Sequence, residues 1–138
     1  MITETKTLRL RPTLRSEIDR IAKRARRSFS EVAQDLLEEA LRMRKYPGIY
    51  FADEAGGREA KIAGTGLGVW EIINVYKAVS NDERSLRTRF PSLTEAQRKA
   101  ALLYYRSFPD EIDTLLSENE ALSLEVPQIG IPGRTRKR

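Results

Sequence analysis

The sequence predicts a mainly α protein with a short N-terminal strand and one β-hairpin, divided into a head, a body and a tail. Three observations carry that prediction. Apolar residues alternate singly over residues 5–11, then recur at steps of three and four through most of the chain. A stretch rich in Gly and small residues, 49–68, separates two helical blocks. Charge is unevenly spread: residues 1–48 hold 12 Lys and Arg against 7 Asp and Glu, residues 49–133 hold 9 against 13, and the chain closes on RTRKR. A basic head, an acidic body and a basic tail suit different partners, with nucleic acid the natural one for the head.

The head is expected over residues 1–46. In TKTLRLR, residues 5–11, Leu8 and Leu10 fall on one face of a strand, and Thr5, Thr7, Arg9 and Arg11 on the other. Pro12 offers no N–H and stops the strand. Leu14, Ile18, Ile21, Ala22 and Ala25 then trace one face of a helix over residues 13–26, and Arg26-Arg27 form the turn. Ser28 and Glu31 have the spacing of a capping box. The helix they start turns Val32, Ala33, Leu36, Leu37, Ala40 and Leu41 inward, ends on Arg42, Arg44 and Lys45, and is closed by Tyr46-Pro47-Gly48.

The body is expected over residues 47–120. It begins with a hairpin, Ile49–Phe51 and Ala60–Ala63 around a turn at Gly56-Gly57. Helices follow over residues 69–79 (Val69, Ile72, Ile73, Tyr76 and Val79 inward), 82–89 (Leu86, with Phe90), 94–107 (Ala96, Ala100, Leu103 and Tyr104 inward) and 109–120 (Ile112, Leu115 and Leu116). Trp70, Tyr104 and Tyr105 read as core or interface aromatics. Residues 121–138, with two prolines and two glycines in LEVPQIGIPG, read as an extended basic tail.

Composition excludes several kinds of chemistry. The chain has no Cys and no His, so it has no disulfide framework, no zinc site on thiolate or imidazole, and no His-based catalysis. No carboxylate cluster stands out, and Asp53-Glu54 and Asp82-Glu83 read as solvated turns. No catalytic residue, metal site or cofactor is expected, and the chain is not expected to be an enzyme. Gly64-Thr65-Gly66-Leu67-Gly68 is not a dinucleotide fingerprint, because its third Gly comes one residue early. It is not a triphosphate loop either, because Gly-Lys-Ser/Thr is absent. No apolar run approaches the roughly 20 residues of a membrane span, and the N-terminus lacks the apolar stretch of a secretory signal. A soluble cytoplasmic protein is the expectation, with no membrane partner.

A strand and two helices in about 45 residues bury little apolar surface alone. The strand has nothing in its own segment to pair with. Two copies that pair strands antiparallel and interlock helices meet both needs, so a homodimer or higher even oligomer is expected. In order and spacing, TLRLRPTLRSEIDRIAKRARRSFSEVAQDLLEEALR resembles the ribbon-helix-helix family. It departs from that family at Arg26-Arg27, where a Gly is common. The resemblance implies an obligate dimer whose paired strands enter the major groove of operator DNA. Thr5, Thr7 and Arg9 would then reach base edges, Arg11 the backbone, and the N–H groups near Ser28 a phosphate. The rival reading makes Arg9 and Arg11 ordinary solvated residues.

Residues 47–117 resemble the family called domain of unknown function 433, of homeodomain-like trihelical type. The likeness rests on PGIYF, AKIAGTGLGVWEII, FPSLTEAQRKAALLYY and EIDTLL. Gly66 stands where that family often has Arg. Such a body implies packing, dimer support or protein binding. The alternative is a second DNA contact through residues 94–107, with Arg98, Lys99 and Arg106. The whole resembles VapB-type antitoxins, whose partners are PIN-domain ribonuclease toxins with acidic, magnesium-binding sites. On that resemblance Leu124, Val126, Ile129 and Ile131 would fill apolar pockets of the toxin, and Arg134 and Arg136 would reach its carboxylates. The alternatives are a basic tail that adds non-specific DNA affinity, and a stand-alone repressor with an assembly or ligand module.

Overall fold

The computed structural model of the chain describes residues 3–125, with side chains placed through residue 120. Over these residues the protein is mainly helical, with six helices and one two-stranded antiparallel sheet. The chain divides into two compact units, Met1–Lys45 and Tyr46–Arg138. Among the described residues no helix is long and apolar enough to cross a membrane.

The first unit is a helix pair. α1 (Pro12–Ala25) begins on its proline, which is pre-set for a first helical position and has no N–H to leave unpaired. Arg11, just before it, is extended. The helix ends where Arg26 turns left-handed, at φ 58° and ψ 44°. There the Arg27 N–H donates to the Ala22 carbonyl at 3.0 Å, which satisfies an orphan acceptor of the last turn. A residue bearing a Cβ thus does what glycine usually does.

α2 (Phe29–Lys45) starts from the expected capping box. The Ser28 hydroxyl accepts from the Glu31 N–H at 3.0 Å, and the Glu31 carboxylate accepts from the Ser28 N–H at 3.1 Å. Ile18, Ala22 and Val32 are buried between the two helices, with Leu10, Phe29 and Ala33 packed against them.

Residues 3–11 carry neither helix nor strand. The expected strand over residues 5–11 is therefore not formed within one chain. The reason is the one its isolation implies: a strand exists by its ladder, and this unit offers no second edge. Leu8, expected to share the buried face with Leu10, is 67% exposed.

The second unit opens with β1 (Ile49–Glu54) and β2 (Gly57–Ile62), paired in register from Ile49 opposite Ile62 to Glu54 opposite Gly57. Both strands run further toward the turn than the sequence suggested. α3 (Val69–Ala78) packs on β2, on α4 (Glu83–Arg89), on α5 (Glu95–Ser107) and on α6 (Pro109–Glu125), so it is the centre of the unit. Val69, Ile72 and Ile73 are fully buried there, with Ile62, Leu86, Ala101, Tyr104 and Ile112. Tyr46, expected in the turn that closes the head, belongs to this core. Its ring meets Tyr104 and Phe108 edge-on, at 5.8 and 5.6 Å between centroids.

Two details of the body differ from expectation. On α5 the inward residues are Ala101, Leu102 and Tyr104, while Ala96 is exposed and Leu103 is 43% exposed. The Thr94–Gln97 capping box fixes this phase. Gln97 accepts from the Thr94 N–H and also donates to the Ala63 carbonyl beyond β2, at 3.2 Å. Second, α6 runs to Glu125, past the point where an extended tail was expected. Nothing in SENEALSLE breaks a helix, and the first proline is Pro127. The backbone of Leu124 is therefore helical. Val126, Ile129, Ile131, Arg134 and Arg136 lie outside the described residues.

The left-handed residue at the end of α1 is testable. That conformation costs a residue with a Cβ about 1–2 kcal/mol, and glycine loses about 0.5–1 kcal/mol in chain entropy. Arg26→Gly should therefore stabilise the protein by about 1 kcal/mol or slightly less. The check is urea unfolding at fixed protein concentration, where the midpoint should rise at unchanged slope.

Candidate nucleic-acid interface

The five residues expected to meet DNA are all on the surface. Thr5, Thr7, Arg9 and Arg11 lie exposed along the extended arm, and Ser28 is exposed at the start of α2. The arm is tied down by Leu10, which packs against the Ile18, Ala22 and Val32 cluster. Ahead of that anchor, a groove of about 430 Å³ lies between Leu8 and Leu10 on one side and Arg15, Asp19 and Phe29 on the other. Among the described residues neither Arg9 nor Arg11 is held in an ion pair, so both guanidinium groups are available to a ligand.

The start of α2 is a more restricted anion site than the sequence suggested. Its capping box already uses the N–H groups of Ser28 and Glu31. It also places the Glu31 carboxylate where a phosphate would approach. The N–H groups of Phe29 and Ser30 remain, without a protein acceptor among the described residues. Arg27 sits beside them, with its Nη1 on the Asp35 carboxylate at 2.5 Å and its Nε 3.9 Å from Glu31. The hydrogen bond to Asp35 raises Arg27 above its ordinary pKa, so it stays cationic at any working pH. Asp35 is a residue the sequence reading passed over; its spacing of eight from Arg27 falls outside the helix-pair rule.

Beside the arm, the helix pair presents an unpartnered apolar face. Leu14 and Ile21 of α1 are exposed, as are Leu36, Leu37, Leu41 and Met43 of α2, with Leu37 at 57% and Leu41 at 66%. These positions, Met43 apart, were expected to face inward. Their periodicity is that of a core-facing stripe, yet one chain supplies no core for them. Phe29 and Met43 add to this apolar surface and had no assigned role in the sequence.

The body's Gly-rich loop is held by its own hydrogen bonds. The Thr65 hydroxyl donates to the Ile62 carbonyl and accepts from the Leu67 N–H, each at 2.9 Å. The Gly68 N–H donates to the Glu71 carboxylate at 2.8 Å, so a negative charge already occupies the start of α3. Gly68 lets Trp70 and Glu59 approach closely: a Cβ there would stand 3.0 Å from the Trp70 ring and 3.3 Å from the Glu59 carboxylate. The Trp70 indole in turn donates to Glu59 at 3.1 Å, and burial pushes that carboxyl above its usual range. Among the described residues no three potential metal ligands come together.

No protein-family model, curated protein or solved structure matches this chain.

The exposed stripe predicts a monomer on demand. Leu37→Glu with Leu41→Glu replaces residues that touch solvent in the single chain, so helix formation should survive. Sedimentation equilibrium should then show a monomer, with helical circular dichroism retained, whereas the unaltered chain is expected to sediment as a dimer.

Proposed function

We propose that the chain is a DNA-binding antitoxin: it dimerises through its first unit, represses its own operon and neutralises a PIN-domain ribonuclease. The observation that carries the DNA-binding half is the pairing of two unmet needs in residues 3–45. An extended, cationic arm lacks a ladder partner, and the helices behind it lack a cover for Leu14, Ile21, Leu36, Leu37 and Leu41. One operation, antiparallel pairing with a second copy, meets both. It also turns Thr5, Thr7 and Arg9 of two chains onto one face of a two-stranded ribbon, which fits the major groove. Arg11 and the free N–H groups of Phe29 and Ser30 then serve the phosphate backbone.

Support for the toxin-binding half comes from the sequence. The division into head, body and tail resembles that of VapB-type antitoxins, and the tail alternates apolar residues before a basic end. Val126, Ile129 and Ile131 are suited to apolar pockets, and Arg134 and Arg136 to an acidic active site. Leu124 is better read as the last turn of α6 than as part of an extended ligand.

Two experiments test the two halves separately. Arg9→Ala should weaken operator binding by roughly 1–3 kcal/mol and relax discrimination at one base pair of each half-site. Fluorescence anisotropy at fixed salt measures this; an unchanged operator affinity rules out base reading by the arm. Removing residues 126–138, which keeps α6 whole, should spare operator affinity and abolish inhibition of the ribonuclease encoded beside this gene. Full inhibition by the shortened chain in an RNA-cleavage assay defeats the tail assignment.

A further inference from the structure

Over residues 46–125 the second unit is acidic, with 9 Lys and Arg against 13 Asp and Glu. Some of its cations are neutralised in place: Arg58 pairs with Asp53 at 3.3 Å, Lys61 with Glu54 at 2.5 Å, and Lys77 with Asp113 at 3.1 Å. One region gathers cations instead. Between α4 and α5 an open cleft of about 250 Å³ is lined by Arg84, Arg87, Arg98 and Lys99, with Glu83 and Glu95. Lys99 pairs with Glu95 at 3.2 Å, whereas among the described residues Arg84 and Arg87 are in no ion pair, the Arg84 guanidinium acting on the neighbouring Asp82 carboxylate only through space. Arg84 and Arg87 are one helical turn apart, so both project from one side of α4. Four cations and two carboxylates line the cleft, so cations outnumber carboxylates there.

The helices that flank the cleft are held in place. Arg98 is half-buried, and its Nη1 donates to the Leu93 carbonyl at 2.7 Å, which fixes its guanidinium plane. Fully buried Leu86 holds α4 to the core, and the Thr94–Gln97 capping box fixes the start of α5. Clustered like charges on such elements repel one another, and a bound anion removes that cost. Guanidinium groups suit phosphate oxygens, to which they donate two N–H groups at once.

We propose that the α4–α5 cleft is a phosphate-binding site through which the body grips the DNA backbone. This rests on the DNA-binding reading of the first unit, which brings a duplex to the same chain and raises its effective concentration at the cleft. Contacts of this kind add affinity and salt dependence without base discrimination. An acidic protein segment is the competing occupant, and the test separates the two.

The experiment uses the full chain with Arg84→Gln and Arg87→Gln together. Both side chains are exposed, so the melting curve should not move. Operator affinity is measured from low to moderate salt. The slope of log affinity on log salt should become shallower by about 2 for each chain that engages the duplex, since each lost phosphate contact removes about 0.9. The affinity ratio of operator to scrambled duplex should stay constant. Arg84→Lys with Arg87→Lys should restore the slope, because it reports charge. An unchanged slope in the Gln variant, with DNA binding by the unaltered chain intact, overturns the cleft alone and leaves it to an acidic protein segment. An unaltered chain that binds no DNA overturns both the cleft and the reading beneath it.

Discussion

The arm ahead of α1 has backbone donors and acceptors and, among the described residues, no ladder partner for them. That constraint organises the first unit. Only Ile18, Ala22 and Val32 are buried between α1 and α2, and the apolar residues on the remaining face outnumber them. A unit of this size with no Cys or His has no covalent or metal staple to add to so small a core. Association with a second copy would meet both the polar need of the arm and the apolar need of the helices. On the proposed function, reading DNA and holding the dimer together are then not separable tasks for residues 5–11.

The second unit solves the opposite problem. It closes its own core around α3, with β2, α4, α5 and α6 against it and an aromatic group of Tyr46, Phe51, Tyr104 and Phe108. Several of its surface charges are satisfied by neighbours. Asp113 accepts from the Tyr105 hydroxyl at 2.9 Å and from Lys77, and these contacts hold its carboxyl below the usual range. The arginine cluster is informative because α4 and α5 gather four cations on one cleft.

The periodic and capped elements were legible in the sequence. The Ser28–Glu31 box is a local contact between residues three apart, so spacing alone predicts it. The hairpin and α3 were legible because Gly-Gly turns and buried branched residues carry their own signal. What was not legible depended on contacts remote in sequence. The phase of α5 is set partly by Gln97 reaching Ala63, which no helical wheel contains. Tyr46 joins the body's core through Tyr104 and Phe108, although it looked like a turn residue. The α6 boundary was missed for a different reason: proline and glycine beyond residue 126 coloured the reading of a helix-compatible run before them. The arm's alternation is not expressed in the single chain, where Leu8 is exposed like the Thr and Arg residues beside it. The partner of Arg27 lies eight residues on along α2, and the clustering of Arg84 and Arg87 with Arg98 appears only when α4 and α5 are brought side by side.

The capping box at the start of α2 has a cost for DNA binding that clarifies how the interface must work. A bare helix N-terminus offers four N–H groups to a phosphate. Here Glu31 takes one of the nearby donors, and its negative charge opposes the anion. The helix gains a firm start, by roughly 1 kcal/mol for a good cap, and loses much of its pull on DNA. On the proposed function the attraction then comes from cations that are not spent internally. Arg27 is engaged by Asp35, whereas among the described residues Arg9 and Arg11 of the arm, and Lys23, Arg24 and Arg26 at the end of α1, are in no ion pair. Affinity from the first unit would then be shared between these cations and the arm proposed to select sequence. Phosphate contacts made elsewhere would add affinity and leave selectivity untouched, which is the part proposed for the arginine cleft of the body.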